Sequence, residues 1–254
     1  MRKLLIGGFA ALALGVLSGT ADAAGESVAP PQHAWSFDGV FGTYDRGTLR
    51  RGLQVYQQVC AACHGLRLVA YRNLMDIGFT ADEVREIASA MEVADGPDAQ
   101  GESFVRPGRA SDRFVSPFPN PQAARAANNG ALPPDLSLMT KARKNGANYM
   151  RALLIGFEEA PAGVTVMEGM NYNRYFPGHQ IAMPTVLNAG AVAYADDVDS
   201  TVEQMAHDVT TFLAWAAEPE LEARKRIGIK VILFLIVLTG MLYAVKRHIW
   251  SKIH

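Results

Sequence analysis

The pattern of apolar and polar positions predicts a mainly α-helical protein. Leu49, Leu53, Tyr56 and Val59 recur at three- and four-residue spacing, which predicts a helix over residues 48–59. Capping residues and stop signals predict four more helices. They are a helix from Thr80 to about Met91, a short helix between Asn120 and Gly130, a helix over residues 148–155 that ends at Gly156, and a helix that begins at the capping box Ser200–Glu203.

Two long stretches between these helices lack any clear period. Residues 92–119 and 160–184 are rich in glycine and proline, and we expect them to be irregular, apart from a short hairpin that joins residues 165–167 to residues 171–175. Loops of this length in a domain are usually functional. A large prosthetic group would explain them, because the loops could pack on it.

An apolar run near the N-terminus predicts an exported protein. Residues 4–17 are apolar, follow Arg2 and Lys3, and precede the small-residue site Ala21-Asp22-Ala23. This arrangement predicts a signal peptide over residues 1–23 that is removed after Ala23. An uncleaved N-terminal anchor is the alternative, and the run is short for a span.

A second apolar run predicts a single membrane span near the C-terminus. Residues 227–245 are apolar except for Lys230, and at about 1.5 Å per residue they reach roughly 28 Å, which is enough to cross the hydrocarbon core. Basic residues flank both ends, which argues against the alternative of a buried core helix. We therefore expect residues 224–254 to form an anchor with a short cytoplasmic tail. Residues 24–223 would then form an exported domain in the periplasm of a bacterium.

Composition excludes a disordered chain, and charge divides the sequence into two parts. The 254 residues are 49% hydrophobic and carry a formal charge of −1. Residues 24–223 contain 15 Lys and Arg against 24 Asp and Glu, a charge of −9, whereas residues 224–254 contain seven basic residues and no acid. An acidic body with a basic anchor does not suit a nucleic-acid partner. It suits a basic protein partner, which two groups of acids could attract. They are Glu92, Asp95, Asp98 and Glu102, and Asp196, Asp197, Asp199 and Glu203.

The candidate chemistry lies in the two cysteines of the chain. Cys60 and Cys63 are followed directly by His64, and Cys-x-x-Cys-His is the attachment signature of c-type haem. A zinc site would need more soft ligands, and a thioredoxin-type dithiol would need a βαβ context. We therefore predict one covalently bound haem c, attached through two thioethers, with His64 as an axial ligand of the iron.

The second axial ligand is less clear from the residues alone. Four methionines lie in predicted loops: Met139, Met167, Met170 and Met183. Met183 is the strongest candidate, because Pro184 biases it toward an extended backbone. His179 is the alternative.

The chain resembles the cytochrome c1 family over nearly all of its mature length. The resemblance is carried by the segments Val59–His64, Arg106–Gly108, Asn120–Ser137, Tyr175–Gly178 and Trp215–Glu220, and by the basic residues around the C-terminal span. It implies a cytochrome c-like haem domain in which Met183 is the sixth ligand, Arg125 pairs with a haem propionate and residues 131–136 pack against the haem. Some bacterial members carry an extra disulfide, for which this chain has no further cysteines.

The resemblance also implies a function and partners. The chain would pass single electrons from the Rieske iron–sulfur protein to cytochrome c within a ubiquinol:cytochrome c oxidoreductase (bc1) complex of the respiratory chain, beside cytochrome b, in a dimeric assembly. The sequence contains no nucleophile or general base in a recognisable constellation, so independent substrate turnover is not expected. The alternatives are a tethered c-type cytochrome that serves another dehydrogenase or oxidase, and a haem peroxidase or gas sensor with an open sixth position.

Overall fold

Helices make up most of the regular structure in the computed structural model, which describes residues 28–252. The predicted signal peptide therefore lies outside the described residues. The α-helices of the described part are α1 (Arg46–Val55), α2 (Ala81–Ser89), α3 (Pro121–Ala127), α4 (Met139–Ala142), α5 (Gly146–Ile155), α6 (Val202–Ala217) and α7 (Leu221–Trp250). A π-turn (Tyr56–Cys60) continues α1, and a 3-10 helix (Tyr71–Ile77) precedes α2.

The core forms where α1 crosses α6. Leu49 and Leu53 of α1 and Phe212 of α6 are fully buried there. The two helices meet closely at Gly52, where a Cβ atom would lie 2.1 Å from the carbonyl oxygen of Asp208. A larger residue at position 52 would therefore push the helices apart.

One buried ion pair also joins these two helices. The Asp208 carboxylate is inaccessible to solvent and accepts a hydrogen bond from Arg51 Nε at 2.9 Å. Arg51 also pairs with Asp196 at 2.7 Å. A buried carboxylate without a partner would destabilise the fold. Arg51 therefore compensates the negative charge of Asp208 in the core.

Several helix predictions are confirmed, with shifts at their ends. Thr80 caps α2 through the predicted box with Glu83, and Gly156 follows the last residue of α5. The prediction that α6 begins with a box from Ser200 to Glu203 was wrong by one residue. Thr201 is the cap, because its hydroxyl accepts the hydrogen bond from the backbone N–H of Gln204.

The long stretch 92–119 is not wholly irregular, contrary to the prediction. β1 (Glu92–Asp95) and β2 (Phe104–Pro107) pair antiparallel, with Glu92 opposite Pro107 and Asp95 opposite Phe104. Arg106 forms ion pairs with Asp95 and Asp112 and so holds the strands to the following turn. Because α2 ends at Ser89, two residues before the predicted Met91, the chain is free to enter this hairpin.

The one predicted hairpin was assigned the wrong partner strand. β3 (Asn171–Tyr172) pairs antiparallel with β4 (Gln180–Ile181) rather than with residues 165–167. The backbone N–H of Met167 instead donates to the side chain of Gln180 at 2.9 Å. Residues 165–167 therefore contact the hairpin through the side chain of Gln180.

Helix α7 has the length and composition of a membrane span. It contains 30 residues, and its most apolar window has a mean hydropathy of 2.3 with none of its surface buried against the protein. It begins before and ends after the predicted span at 227–245. Among the described residues it is the one helix that meets these criteria, and it fits a single-pass anchor.

Candidate haem site

The Cys-x-x-Cys-His motif lies at the end of the π-turn that follows α1. The backbone N–H of Ala61 donates to the carbonyl of Tyr56 at 2.8 Å, across five residues rather than four. The N–H groups of Cys63 and His64 then both donate to the carbonyl of Cys60, at 3.1 and 2.9 Å. One short, tightly bonded turn therefore carries the two sulfur atoms and the imidazole.

The two cysteines of the motif differ in exposure. Cys60 is half-buried and packs against the core, whereas Cys63 is exposed. Burial raises the pKa of the Cys60 thiol to about 12, so this group stays protonated at neutral pH.

The imidazole of His64 is oriented by a backbone carbonyl. Its Nδ1 lies 2.7 Å from the carbonyl oxygen of Pro134, which accepts its N–H. Burial lowers the pKa of His64, and the hydrogen bond to Pro134 opposes that effect. A neutral imidazole with Nδ1 engaged has Nε2 free as an acceptor, which is the form that binds a metal.

Residues 131–137 support this arrangement from the other side. The N–H of Leu136 donates to the carbonyl of Gly65 at 2.9 Å, and the N–H of Arg67 donates to the Asp135 carboxylate at 2.9 Å. The Ser137 hydroxyl accepts from the N–H of Leu68 at 3.0 Å. The segment just after the motif is thus bonded residue by residue to the segment that contains Pro134.

Two groups that hold the motif were not identified from the sequence. The buried Tyr56 hydroxyl donates to the carbonyl of His64 at 3.1 Å, although Tyr56 reads in the sequence as a core residue. The Pro134 carbonyl has no side-chain signal at all. The sequence shows only that Pro134 follows another proline, in a segment without a helical or strand period.

Met183 lies directly after β4, two residues beyond Ile181. It is half-buried and packs against the same core as Val59 and Cys60, and its carbonyl accepts from Asn171 Nδ2 at 3.3 Å. The hairpin that carries it is bonded to the end of α5, because Asn173 Nδ2 donates to the carbonyl of Leu153 at 2.8 Å. Hydrogen bonds to the hairpin and to α5 therefore fix the backbone near Met183.

His179 occupies the turn of the same hairpin. Its backbone is left-handed, with φ at 59°, and its ring stacks on Tyr172 with the ring centroids 5.6 Å apart. Its Nδ1 is buried without a hydrogen-bond partner among the described residues. His179 thus keeps an unused nitrogen and remains the alternative axial ligand.

Arg125 is exposed on α3. Its Nη1 donates to the carbonyl of Gly130 at 2.8 Å, which closes the turn after the helix. Asn120 begins α3 by accepting from the N–H of Ala123, and Pro121 occupies the first helical position, as the sequence predicted. A guanidinium has five donors, so this contact still allows Arg125 to bind a carboxylate.

The donor set fits a haem iron. An imidazole held by its Nδ1 and two thiols in one turn are groups that bind haem c at its iron and its edge, and the half-buried thioether of Met183 is a further candidate ligand. In the described residues no group of three or more His, Cys, Asp and Glu side chains forms an alternative metal site. The site and the helical frame are those of a c-type cytochrome.

Comparison with known proteins identifies the family. The Cytochrome C1 family model matches residues 35–253. Cytochrome c1-2 of Solanum tuberosum, a mitochondrial heme protein, is 52% identical, covering 91% of this chain and 89% of its own. Cytochrome c1 of Rhodospirillum rubrum is 44% identical, covering 100% of this chain and 98% of its own.

A longer relative matches over only part of its length. Cytochrome b/c1 of Bradyrhizobium diazoefficiens is 50% identical over 89% of this chain, and the matched region spans 36% of that protein.

The chain belongs to the cytochrome c1 family. As a member it is a haem-carrying electron-transport subunit of the bc1 complex.

Proposed function

We propose that this chain carries one electron at a time through a single covalent haem c, from the Rieske iron–sulfur protein to a cytochrome c. The observation that supports this most directly is the bond between His64 Nδ1 and the Pro134 carbonyl, at 2.7 Å. It fixes the ring for coordination by Nε2 and strengthens its donor character. The haem supplies a reversible one-electron change at its iron.

The two cysteines fix the cofactor in place. Each thiol would add across a vinyl group, with its hydrogen going to one vinyl carbon and its sulfur to the other, so no oxidant would be consumed. Because Cys60, Cys63 and His64 share one turn, attachment also sets the position of the imidazole. We propose that this coupling keeps His64 as a ligand in both oxidation states.

Met183 is proposed as the second axial ligand. A thioether stabilises the reduced iron relative to a second imidazole and raises the reduction potential, which suits a carrier near the end of an electron-transfer chain. The hairpin that places Met183 is bonded to α5, so little rearrangement is needed on electron transfer. A filled sixth position leaves no room for a peroxide or a gas molecule, which disfavours the peroxidase and sensor alternatives.

Arg125 is proposed to pair with a haem propionate. The exposed guanidinium lies in the Asn120–Ser137 region that also contains Pro134, and the planar fork matches a carboxylate. Such a pair would offset the negative charge that the propionates add to an acidic domain.

We further propose a topology and an assembly. Residues 1–23 would be a cleaved signal, residues 24–223 a periplasmic haem domain, and residues 224–254 a single-pass anchor whose C-terminus is cytoplasmic. Cytochrome b and the Rieske protein would be neighbours in a dimeric complex. Helix α7 and the similarity to cytochrome b/c1 of Bradyrhizobium diazoefficiens support this assembly.

The decisive experiment combines purification with spectroscopy. The tagged full chain is expressed in a bacterium that can attach haem c and is purified from its membranes in mild detergent. We expect a cytochrome b and a Rieske protein to co-purify, and we expect a low-spin spectrum whose ferrous form does not bind carbon monoxide readily. Recovery with a different dehydrogenase or oxidase would support the tethered-carrier alternative, and ready carbon monoxide binding would contradict ligation by Met183.

A further inference from the structure

We propose that the loop of residues 36–43 inserts its tip, Val40 and Phe41, into the interfacial layer of the lipid bilayer beside α7. This proposal rests on the proposed role of α7 as the membrane anchor. It gives the haem domain a second contact with the membrane, separate from the span.

The loop is a closed and fixed structure. Its base is closed by a hydrogen bond from the N–H of Thr43 to the carbonyl of Ser36 at 3.0 Å. Within it, the backbone passes so close to itself that a Cβ atom on Gly42 would lie 1.9 Å from the carbonyl oxygen of Asp38. The loop is therefore closed at its base and has no room for a side chain at position 42.

The tip of the loop is apolar and fully presented to solvent. Phe41 is 83% exposed and Val40 is 62% exposed. No large apolar side chain of α7 is more exposed than 62%, although that helix has no protein around most of its length. A preformed loop that exposes phenylalanine and valine together is suited to an apolar partner.

Hydrogen bonds fix the position of the loop along the axis of α7. Lys225 Nζ donates to the carbonyls of Phe37 and Gly42, at 2.7 and 3.0 Å. The N–H of Tyr44 donates to the Glu222 carboxylate at 2.9 Å, and Arg46 forms an ion pair with the same carboxylate. The loop is thus tied to α7 on both sides of its tip.

That position along α7 coincides with the surface of the predicted membrane. Lys225 precedes Ile227, the first residue of the apolar run, by two residues, which is about 3 Å along a helix. The loop therefore lies where α7 passes from the aqueous domain into the bilayer. An aromatic residue at this level has the position that interfacial aromatics prefer.

The charges around the loop fit a phospholipid surface. Arg226 is exposed at the start of α7 beside Arg224, which is also exposed but pairs with Glu218 at 2.6 Å, and basic residues at this level attract anionic headgroups. Asp38, the acid within the loop, has its carboxylate engaged by the N–H of Trp35 at 3.1 Å. Lipid is therefore favoured over a protein partner, which would have to cover both the apolar tip and these arginines.

The test attaches nitroxide labels to cysteines introduced into the full chain. The labelled chain is studied within its complex, reconstituted into vesicles of phosphatidylethanolamine and phosphatidylglycerol. Because Cys60 and Cys63 are committed to haem, each introduced cysteine is the reactive one. Phe41→Cys is the test variant, and Phe104→Cys is the matched control, since Phe104 is 43% exposed on β2. Leu235→Cys, in the middle of α7, reports whether the helix spans the bilayer.

The nitroxide label collides with dissolved oxygen and with a water-soluble nickel complex, and the ratio of the two collision rates is measured. We expect this ratio to be higher for the label at position 41 than for the label at position 104. Equal, water-like ratios at positions 41 and 104 would overturn the proposal. Shielding of position 41 from both reagents would also overturn it, in favour of a protein that covers the loop. A water-like ratio at position 235 would overturn the anchor and the loop together, whereas failure at position 41 alone would leave the anchor standing.

Discussion

His64 and Met183 differ in how firmly the surrounding chain holds them. His64 is fixed from two directions, by Pro134 at its ring and by Tyr56 at its carbonyl. Met183 is held through its carbonyl and its half-buried position, and a methionine side chain has three flexible torsions. We therefore expect substitution at position 183 to change the proposed ligand set while it leaves the Cys-x-x-Cys-His turn intact.

Replacement Met183→Leu should lower the reduction potential without loss of covalent haem. Leucine keeps the volume but removes the sulfur that stabilises reduced iron, so we expect a fall on the order of 0.1 V or more, within the ~0.8 V that axial ligands cover. The measurement is a redox titration of the purified membrane protein. Covalent haem is checked by its retention on a denaturing gel.

Met167→Leu is the matched control for this variant. Met167 is an exposed methionine of the same loop region, so its replacement should leave the potential unchanged. An unchanged potential in Met183→Leu would assign the ligand elsewhere, and His179 would then be the residue to replace next.

The attachment residues could be recognised from sequence because their chemistry is local. Cys60, Cys63 and His64 are adjacent in the chain, so spacing alone defines them. Met183 was the strongest of several candidates from the residues and was singled out by the family resemblance, and Arg125 was proposed through the resemblance alone, because their roles depend on how distant segments meet. The Pro134 carbonyl could not be identified, since every residue has a carbonyl and only the fold selects one.

Helices α5 and α6 hold the N-terminal segment through a pair of histidines. His33 Nε2 lies 3.0 Å from His207 Nδ1, and the ring of Trp35 stacks on His207 with the centroids 5.1 Å apart. Trp35 Nε1 also donates to Asn148 of α5 at 2.8 Å. A bond between two imidazole nitrogens requires that one ring accept, so at least one ring must be neutral.

The pair should make the domain less stable as pH falls. Burial and nearby Arg151 lower the pKa of His33 below 6.5, while Asp38 opposes this. Burial, His33, Arg151 and Arg51 likewise lower the pKa of His207, against Asp208. Because both pKa values are lowered, the unfolded chain takes up protons first, and stability present above about pH 6.5 is lost as pH falls through the folded values.

The measurement is the Tm of the holoprotein in detergent between about pH 8 and pH 5.5, a range that spans the unperturbed histidine pKa. The double variant His33→Phe, His207→Phe keeps two rings but removes the titration, so its Tm should depend less on pH than that of the parent. His248→Asn, at the far end of α7, is the control and should keep the parental profile. Equal slopes in the parent and the double variant would contradict the role of the pair.

At the scale of elements, capped helices were predictable and paired loops were not. Local hydrogen bonds of Thr80 with Glu83, and of the Asn120 side chain with the N–H of Ala123, define two helix starts, so α2 and α3 follow from the sequence. Strands β1 and β2 contain only four residues each and pair across a polar loop, so neither has a readable period. The π-turn was also missed, since its extra residue does not disturb the stripe of Leu49, Leu53 and Tyr56.

The folded molecule modifies the charge pattern that its sequence suggests. Asp95 pairs with Arg106 and Asp196 pairs with Arg51, so each acidic group has one partly neutralised member. Glu92, Asp98, Glu102, Asp197, Asp199 and Glu203 remain exposed. The net charge of −9 in residues 24–223 therefore still favours the approach of a basic cytochrome c.

Reduction of a basic cytochrome c should slow as ionic strength rises. Raising salt from 0.01 M to 0.15 M shortens the Debye length from about 30 Å to about 8 Å, so steering by separated surface acids weakens and the second-order rate should fall several-fold. The measurement is the second-order rate of cytochrome c reduction, followed by stopped-flow with the acceptor at a lower concentration than this protein. An acidic acceptor protein is the control and should show the opposite slope, and a flat profile with the basic acceptor would contradict steering.

The π-turn between α1 and the motif constrains how this chain can change length during evolution. Gln57 and Gln58 are exposed, and many side chains would be tolerated there. Removing one residue would let the Ala61 N–H close an ordinary four-residue turn onto the same Tyr56 carbonyl and leave the direction of the cysteine unchanged, whereas adding one more residue would rotate it by about 100° relative to Leu53. Substitutions and the loss of one residue should therefore accumulate in this segment among descendants, whereas insertions should be eliminated, because an added residue turns Cys60 away from the proposed haem.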